Sequence, residues 1–547
     1  MLLSFNDDYE LREEYCDFLK LDINSFIEIQ NNLLLKQIEL LKSCSLGKKL
    51  LRGNNPITVE EFRKNVPLTN YDDYFAELVE RREDILPAKP VSWVRTSGRS
   101  GNYPAKWIPI TAEYKQHLAH ILFCLLKLAS YDERHKIPNL PVRLKVLNVV
   151  APRPYMSGAM MSMLDEIADL DIMPPIEGMD NFSFEERIAM GFRQALSQGL
   201  DCFFGLSLVL VKVGEKISQA SISESLLPLI KQPKVFARLF KGLLKSKLAG
   251  RQILPRDLWN IKGILSGGLD SWVYRDKIKE LWGRYPLDVY AGTEGGIYAT
   301  QTWDFDAMTF IPNLNFLEFI PEEEHFKWQI DHHYEPKTVL LNEVKPGEHY
   351  ELVITNFHGG ILVRYRIGDM IKITSLKNEK TNINLPQMVF ESRIDDLFDF
   401  FGMHLNERVI WQAIESLGIA YEDWIAYKEP GQTVLNILIE LKSDFKVNDD
   451  DLAARIYKEL LKLTGDEYTQ TQIHDELQAI DFKVNVSILT HGTFAQYTRQ
   501  KQAEGADLAH LKPPHINPSD KTINLLLSKR RIEKNIKTKI ELTSESS

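Results

Sequence analysis

The chain has 547 residues, of which 44% are hydrophobic and 26% are charged, and its formal net charge is −10. This composition is ordinary for a water-soluble globular protein and excludes wholesale disorder. The acidic balance argues against broad nucleic-acid binding, so any anion site has to be built locally. Four cysteines lie far apart without a CxxC pair, and we expect reduced core thiols of a cytoplasmic protein instead of a disulfide framework or a zinc site.

Targeting and membrane signals are weak along the whole sequence. The amino terminus carries Asp7 and Asp8 where a signal peptide has basic residues. The most apolar stretch, Cys202 to Val213, is far shorter than the ~20 residues of a membrane helix. We therefore expect a cytoplasmic location, with no membrane and no nucleic acid among the partners.

The first third of the chain predicts helices, a hairpin and then alternating elements. Apolar residues recur at helical spacing from Leu11 to Leu51, and Thr58 with Glu61 reads as a capping box that starts another helix. Residues 91–94 and 107–110 read as short strands around a loop rich in Ser and Gly.

The middle of the chain alternates between helix and strand, which favours an α/β fold. The pattern predicts the following elements: a helix over 111–128, a strand over 144–150, a helix over 158–170, mostly helix over 183–248, a strand over 259–264, a helix through Leu281 and a strand over 287–290.

The later part of the chain changes character twice. Between residues 309 and 373 it is rich in strand signals, which predicts a β-rich subdomain. After Ser392 strands and helices alternate again in a compact α+β pattern. The fold class is therefore α/β, and the predicted domains are a large N-terminal domain over 1–392, a small C-terminal α+β domain over 393–518 and a tail over 519–547.

The stretch from Tyr290 to Gly296, Tyr-Ala-Gly-Thr-Glu-Gly-Gly, ends an apolar strand in a loop suited to polyphosphate. Thr293 can donate a hydrogen bond to a phosphate oxygen, and Glu294 offers a hard oxygen ligand to Mg²⁺. The glycines on either side, Gly292 among them, let backbone amides approach an anion. A plain Gly-rich turn is the alternative.

Two further stretches offer groups for a nucleotide. Thr96-Ser97-Gly98-Arg99-Ser100-Gly101 followed by Lys106 is a phosphate-loop candidate, although it lacks the GxxxxGK[ST] pattern and a surface hairpin is the alternative. Asp369 follows a glycine at the end of a strand, where a carboxylate can accept both hydroxyls of a ribose. Arg393 could add a charge-assisted bond to the same sugar or to a phosphate.

Taken in this order, the stretches resemble motifs of the adenylate-forming superfamily of acyl- and aryl-CoA synthetases, adenylation domains and luciferases. The closest resemblance is to the auxin-conjugating acyl acid amido synthetases and their bacterial relatives. The residues that carry it are Thr96 to Lys106, Tyr290 to Gly296, Arg364 to Asp369, Arg393 to Asp396, Phe62 to Tyr71, Ser266-Gly267-Gly268, His491 to Phe494 and Leu511 to Pro514.

The resemblance implies an ATP- and Mg²⁺-dependent ligase. A carboxylic acid reacts with ATP to give acyl-AMP and pyrophosphate, and an amine, which we expect to be an amino acid, then displaces AMP to form an amide. The small C-terminal domain is expected to be mobile and to rotate between the two half-reactions.

The resemblance also implies roles for individual residues. Thr96, Ser97, Gly98, Ser100 and Lys106 belong to the loop that holds the leaving phosphates; Thr293 holds the α-phosphate and Glu294 the metal; Asp369 and Arg393 hold the ribose; Gly267, Gly268, Tyr290, Ala291 and Gly292 flank the nucleotide; Asp395 is the hinge; Lys512 stabilises developing negative charge.

Two departures from the family pattern leave alternatives open. Arg99 stands where a Thr or Ser is usual, and Lys512 lacks the surrounding pattern of the wider superfamily, so a surface lysine is its alternative reading. The alternative functions are an acyl-CoA ligase that forms a thioester and a catalytically degenerate nucleotide-binding scaffold.

Overall fold

The computed structural model describes most of the chain, and its described residues divide into two compact units, one ending at Phe390 and one beginning at Glu391. Described are residues 16–96, 106–132, 137–138, 140–178, 182, 184–219, 232–267, 271–393, 398–400, 403–429, 432–442, 447–463, 474, 477, 482–504 and 512–528.

The first unit opens with helices whose ends are fixed by side-chain caps. Asp22 accepts a hydrogen bond from the backbone N–H of Ser25, and Thr58 accepts one from Glu61 at 3.1 Å. The predicted cap by Thr58 is therefore present, but the Glu61 carboxylate accepts from the N–H of Ile57, one residue before the cap, so the reciprocal bond of a capping box is not formed. These helices are α1 (Ile23–Ser43), α2 (Ser45–Leu50), α3 (Val59–Asn65) and α4 (Phe75–Val79).

The predicted hairpin and the helix behind it are present. Strand β1 (Pro90–Arg95) pairs antiparallel with β2 (Trp107–Thr111). The hydroxyl of Thr111 caps helix α5 (Ala112–Ala129) by accepting from Tyr114. Nearly every residue of the second half of α5 is buried, so this helix is a central support of the first unit.

The cysteines correct one expectation from the sequence. Cys16 and Cys124, which lies on α5, form a disulfide across 108 residues of sequence. Cys44 and Cys202 are free and buried, as expected. Spacing alone could not reveal the bond, because the two residues meet only through the packing of the amino-terminal segment against α5.

An eleven-stranded sheet forms the body of the first unit, with strand order β12-β13-β14-β15-β11-β10-β9-β8-β7-β5-β6. The strands from β6 to β9 run parallel to one another. Their bounds are β5 (Leu144–Val149), β6 (Leu170–Met173), β7 (Cys202–Leu206), β8 (Gly263–Gly267) and β9 (Leu287–Gly292); the short hairpin β3 (Tyr131–Asp132) and β4 (Ile137–Pro138) precedes them.

Helices connect the parallel strands, which confirms the α/β fold class. Two predictions of extent were wrong: the helix expected over 158–170 ends at Asp165 and gives way to β6, and the strand expected over 259–264 lies at Gly263–Gly267. The described part of 183–248 is mostly helical, as predicted, with β7 between two of its helices. The helices are α6 (Met156–Asp165), α7 (Phe184–Gln198), α8 (Ser207–Gln219), α9 (Pro233–Leu248), α10 (Pro255–Leu258) and α11 (Ser271–Trp282).

The other half of the sheet is largely antiparallel and matches the predicted β-rich region. Strand β10 runs antiparallel to β9, and β11 to β10, so the direction of pairing changes at the β9–β10 hairpin. The bounds are β10 (Gly296–Thr300), β11 (Met308–Phe310), β12 (Asn315–Pro321), β13 (His349–Asn356), β14 (Tyr365–Ser375) and β15 (Gln387–Arg393), with α12 (Glu322–Ile330) after β12.

The second unit contains a three-stranded sheet of order β18-β19-β20 and a small hairpin, β16 with β17. Its core includes Ile425, Leu438, Leu489 and Phe494. The elements are β16 (Phe398–Phe400), β17 (Met403–Leu405), α13 (Glu407–Ser416), β18 (Tyr421–Tyr427), β19 (Val434–Leu441), α14 (Asp449–Lys462), β20 (Lys483–Leu489) and α15 (Thr493–Ala503).

No helix among the described residues combines the length and the apolar character needed to cross a bilayer.

Candidate functional site

The Thr293-Glu294 pair lies in the tight turn between β9 and β10, where Gly292 pairs with Gly296. The side chains of two asparagines hold the backbone of this turn by hydrogen bonds. Asn356 donates to the backbone carbonyl of Glu294 at 3.0 Å, and Asn315 donates to that of Gly295 at 2.7 Å. The turn is therefore held rigidly at the carboxyl end of the last parallel strand, where ligands of α/β proteins bind.

The glycines of this turn are required by side-chain packing. A Cβ at Gly292 would lie 2.7 Å from the hydroxyl of Tyr298, and one at Gly295 would lie 2.3 Å from a ring carbon of the same tyrosine. At Gly296 φ is +68°, and a Cβ there would lie 2.7 Å from the hydroxyl of Tyr114. Close packing against two tyrosines thus explains these glycines, whether or not an anion also approaches their amides.

Tyr298 and Tyr114 pack against the β9–β10 turn with their hydroxyls buried. Both side chains are buried, and neither hydroxyl has a hydrogen-bond partner among the described residues. Burial raises the pKa of Tyr298 well above its usual value, and the nearby carboxylates of Glu294 and Asp369 raise it further. The Tyr298 hydroxyl consequently stays protonated beneath the carboxylates.

Thr96 and Lys106 close the base of the candidate phosphate loop. The backbone N–H of Thr96 donates to the carbonyl of Lys106, and the N–H of Lys106 donates to the hydroxyl of Thr96, both at 3.0 Å. The Lys106 ammonium lies 3.4 Å from the Glu294 carboxylate and donates to the hydroxyl of Tyr365 at 3.0 Å. This ion pair joins the loop to the β9–β10 turn.

The nucleoside-binding candidates lie beside the same turn. The hydroxyl of Tyr290 donates to the buried carboxylate of Asp369 at 2.9 Å. Strands β8 and β9 are neighbours and parallel, so Gly267 at the end of β8 and Ala291 near the end of β9 share one edge of the sheet. The structure thus brings Thr96, Lys106, Gly267, Tyr290, Ala291, Gly292, Thr293, Glu294 and Asp369 into one region.

Arg364 of the Arg-Tyr-Arg-Ile-Gly-Asp motif is buried and holds strands and loops together. Its guanidinium makes two hydrogen bonds to Glu318, at 2.8 and 3.0 Å, and also donates to the carbonyls of Arg63 and Val66. Burial disfavours the charged Glu318 carboxylate, but the charge of Arg364 lowers its pKa below the usual value. Within this motif, Arg364 has a structural role and Asp369 is the group at the site.

Lys512 lies in the second unit, where its ammonium is 2.9 Å from the carboxylate of Asp423. The other oxygen of Asp423 accepts from His515, whose second ring nitrogen donates to Glu407. Burial favours a neutral ring, but the two carboxylates raise the pKa of His515 to about 9. Burial also opposes ionisation of Asp423, yet Lys512 and His515 keep its pKa below the usual range.

A polar cluster near the β9–β10 turn was not predicted from the sequence. His358 contacts Glu113 at 3.1 Å and the carbonyl of Asn313 at 2.7 Å, and its ring stacks on His117 at 3.8 Å between centroids. Burial, with a contribution from His358, lowers the pKa of His117 to about 4. Glu113, His117 and His358 offer ligand atoms within 4.8 Å of one another, but the two rings are stacked nearly parallel, an orientation in which their in-plane lone pairs do not converge on one ion. The sequence signal for this cluster is the Glu-x-x-x-His spacing of Glu113 and His117 on α5.

Several predicted site residues lie outside the described residues, and nothing further is inferred about their positions. They are Ser97, Gly98, Ser100, Gly268 and the predicted hinge Asp395; Arg393 ends β15, but its side chain is also outside the described part.

A cavity of about 730 Å³ opens at the carboxyl ends of β5 and β6. Its lining combines apolar groups with the cations of Arg153 and Arg187 and the carboxyl groups of Asp165, Glu166 and Glu177. The Arg153 guanidinium donates to the hydroxyl of Ser162 at 2.9 Å, which fixes its direction. A cavity of this size and composition can enclose a small organic acid or amino acid.

Comparison with known proteins places this geometry in context. The chain matches the GH3 family N-terminal domain over residues 16–147 and the GH3 family central domain over residues 308–393. It is 27% identical over 346 residues to the jasmonoyl–L-amino acid synthetase GH3.5 of Oryza sativa subsp. japonica. That match covers 58% of this chain and 56% of the rice protein, so the chain spans little more than half the length of this curated relative.

Solved structures share the fold at low sequence identity. The AtGH3.15 acyl acid amido synthetase in complex with 2,4-DB superimposes with a TM-score of 0.64 at 16% identity, over 96% of this chain and 97% of that one. A 2-hydroxyisobutyryl-CoA ligase superimposes with a TM-score of 0.55 at 14% identity, over 92% and 98%. The family matches and the rice relative confirm the predicted resemblance to acyl acid amido synthetases, and the solved structures confirm the α/β fold.

Proposed function

We propose that this chain, which matches the N-terminal and central domains of the GH3 family, is an ATP-dependent acyl acid amido synthetase. It joins a small carboxylic acid to an amine through an acyl-adenylate. The rice relative, a jasmonoyl–L-amino acid synthetase, supports an amino acid as the amine. The proposal also keeps two expectations from the sequence. The protein is located in the cytoplasm, and nucleic acid is not among its partners.

The ion pair between Lys106 and Glu294 is the observation that carries this function. It brings a cation from the base of the Ser/Gly-rich loop to the carboxylate beside Thr293. Both side chains are largely shielded from water, with 19% and 13% of their surface exposed. A phosphate bound at this turn would meet the Lys106 cation, and Thr293, the residue before Glu294, supplies a hydroxyl donor in the same turn.

The residues of the turn also fit a magnesium ion. Glu294 supplies a carboxylate, the ligand class that Mg²⁺ prefers, and its charge is balanced in this structure only by Lys106 among the ion pairs of the described residues. When bound, the ion would neutralise charge on the phosphates of ATP. We assign Glu294 as its protein ligand and Asp369 as the acceptor for the ribose hydroxyls.

The chemistry follows from these positions. A carboxylate oxygen of the acid attacks the α-phosphorus of ATP, and the bond to the bridging oxygen breaks to release pyrophosphate. Lys106 and Thr293 neutralise the charge that develops on the phosphate oxygens. In the second step the neutral amine attacks the acyl carbon, the bond to AMP breaks, and the nitrogen loses its proton as the amide forms.

Lys512 is proposed to stabilise developing negative charge after its unit has moved. In the structure described, its ammonium is engaged by Asp423, so catalysis requires exchange of this partner for a phosphate oxygen. Mobility of the small unit and a hinge at Asp395 belong to the same proposal.

The cavity at the ends of β5 and β6 is proposed to hold one of the two organic substrates. Arg153 suits a carboxylate because its guanidinium is held by Ser162. Arg153→Met should therefore raise the KM of one carboxylate substrate about tenfold or more while the KM of ATP changes little. An unchanged KM for every acid and amino acid would place both substrates elsewhere.

Pyrophosphate exchange with a panel of acids tests the function. We expect exchange with at least one acid, abolition by Glu294→Ala, and no effect of Glu39→Ala, a change at an exposed glutamate of α1. AMP release that then depends on an amino acid supports the amido synthetase. Release that depends on coenzyme A would establish an acyl-CoA ligase instead, and exchange with no acid would favour a nucleotide-binding scaffold.

A further inference from the structure

Helix α9 (Pro233–Leu248) has an unusual distribution of side chains. Val235, Gly242 and Ser246 form its buried face, and Val235 belongs to the core cluster that contains Trp259 and Trp282. The opposite face carries large apolar residues at i, i+4, i+8 and i+12. These are Phe236, Phe240, Leu244 and Leu248, which are 54%, 60%, 51% and 82% exposed.

The exposed residues form one continuous stripe. Side chains four residues apart lie on the same face of a helix, and the rings of Phe236 and Phe240 stack at 6.1 Å between centroids. Exposed apolar side chains occur singly on most protein surfaces, whereas a contiguous patch of this kind marks an interaction site. A helix of 16 residues is about 24 Å long, enough to present all four side chains to one flat partner.

The charges around this apolar stripe are of one sign. The helix contains Lys234, Lys241, Lys245 and Lys247, all exposed, and no acidic residue. None of these lysines takes part in a salt bridge with another described residue, whereas Arg251, just beyond the helix, pairs with Asp257. The cationic face contrasts with the net charge of −10 of the whole chain.

We propose that α9 is a membrane-surface helix that docks the protein on anionic lipid, with the apolar stripe in the interfacial layer and the lysines on the headgroups. Phe and Leu on one side and lysines along the flank are the composition of helices that lie in a bilayer interface. The charge of the lysines complements anionic headgroups. This inference revises the expectation of no membrane partner and does not depend on the proposed reaction.

A second copy of the chain suits this surface poorly. A two-fold interface would place the same patch on both sides, and the four lysines of each copy would face those of the other. The stripe is also convex, because it lies on the outside of a single helix, and a flat deformable layer accommodates such a shape.

Flotation of the full-length protein with vesicles tests the proposal. Vesicles of phosphatidylcholine with phosphatidylglycerol should carry the protein upward, and vesicles of phosphatidylcholine alone should carry much less. The double variant Phe236→Ser/Phe240→Ser should reduce partitioning roughly tenfold for each ring removed. Lys241→Glu/Lys245→Glu should reduce it about fivefold or more per lysine, and added salt should act in the same direction.

Matched controls distinguish vesicle binding through the apolar stripe from nonspecific hydrophobic binding. Ile330→Ser removes an apolar side chain that is 88% exposed on another helix, and it should leave vesicle binding unchanged. Both phenylalanines are more than half exposed, so their replacement should preserve the melting temperature. Failure of the unaltered protein to float, or equal flotation of the double serine variant, would overturn the proposal. Self-association that the double serine variant abolishes would identify a second copy as the occupant and would also overturn it.

Discussion

Tyr298 decides which residues the β9–β10 turn can contain. Its hydroxyl lies 2.7 Å from the position of a Cβ at Gly292, and a ring carbon lies 2.3 Å from that of a Cβ at Gly295. We expect Gly292→Ala and Gly295→Ala each to lower the free energy of unfolding by about 1–3 kcal/mol through overpacking. Urea unfolding of the purified variants measures this loss.

A double variant separates the two contacts. Tyr298→Phe removes only the hydroxyl, which has no hydrogen-bond partner among the described residues, so alone it should be nearly neutral or stabilising. It should relieve most of the cost of Gly292→Ala and little of the cost of Gly295→Ala. Equal rescue of both glycine variants would contradict the packing described here.

Because of His515, the stability of the second unit is expected to fall at alkaline pH. Its pKa is raised from 6.5 to about 9 by Asp423 and Glu407. A raised pKa in the folded state means that the stabilisation is complete below the unfolded value of 6.5 and is lost as the pH rises through about 9. The difference corresponds to roughly 3 kcal/mol.

Unfolding of the second unit, followed between neutral and alkaline pH, checks this dependence. The unaltered protein should lose stability as the pH rises through the pKa of His515. His515→Gln should be less stable at neutral pH and should show a flatter profile. Parallel profiles of the two proteins would show that the ring is not charged in the folded state.

At the scale of elements, Arg364 ties strand β14 to β12 and to the end of α3. Arg364→Met would leave the carboxylate of Glu318 buried beside fewer donors and would remove the bonds to the carbonyls of Arg63 and Val66. We expect destabilisation of about 3–5 kcal/mol. Lys377→Met, which breaks an exposed ion pair with Glu379, should cost less than about 1 kcal/mol. Thermal unfolding compares the two.

The disulfide between Cys16 and Cys124 fixes the amino-terminal segment to α5. The crosslink spans 108 residues, and by the chain-entropy estimate such a loop contributes about 4–5 kcal/mol. A reductant should therefore lower the melting temperature of the unaltered protein but not that of Cys16→Ser. Thiol titration of the unfolded, unreduced chain should find two free groups. Four free thiols and a melting temperature insensitive to reductant would show that the bond does not form in solution.

For the whole molecule, local patterns predicted the fold class and the positions of many elements. The helix cap at Thr58, the hairpin before α5 and the strand before Thr293 were all predicted, because each depends on neighbours in sequence. Strand β6 and the Cys16–Cys124 bond were missed, because both depend on contacts with distant parts of the chain. The same holds for Tyr298, since only the fold shows that one tyrosine accounts for two glycines.

The candidate site was predictable to a similar degree. Thr96, Lys106, Glu294 and Asp369 were identified from residue chemistry, and the structure brings them together around the β9–β10 turn. The structural role of Arg364 and the engagement of Lys512 by Asp423 could not be read from spacing. Both depend on partners far away in the sequence.

The direction of strand pairing changes at β9–β10, and the two proposed binding regions lie in different parts of the sheet relative to this change. The candidate nucleotide groups lie at the junction, while the cavity proposed for an organic substrate lies beyond it, among the parallel strands β5 and β6. Selection during evolution could therefore remodel the loops after these strands without disturbing the turn that Asn315 and Asn356 hold. In the proposed synthetase, this separation would let the nucleotide groups stay unchanged while one contiguous part of the sheet adapted to new acids or amines.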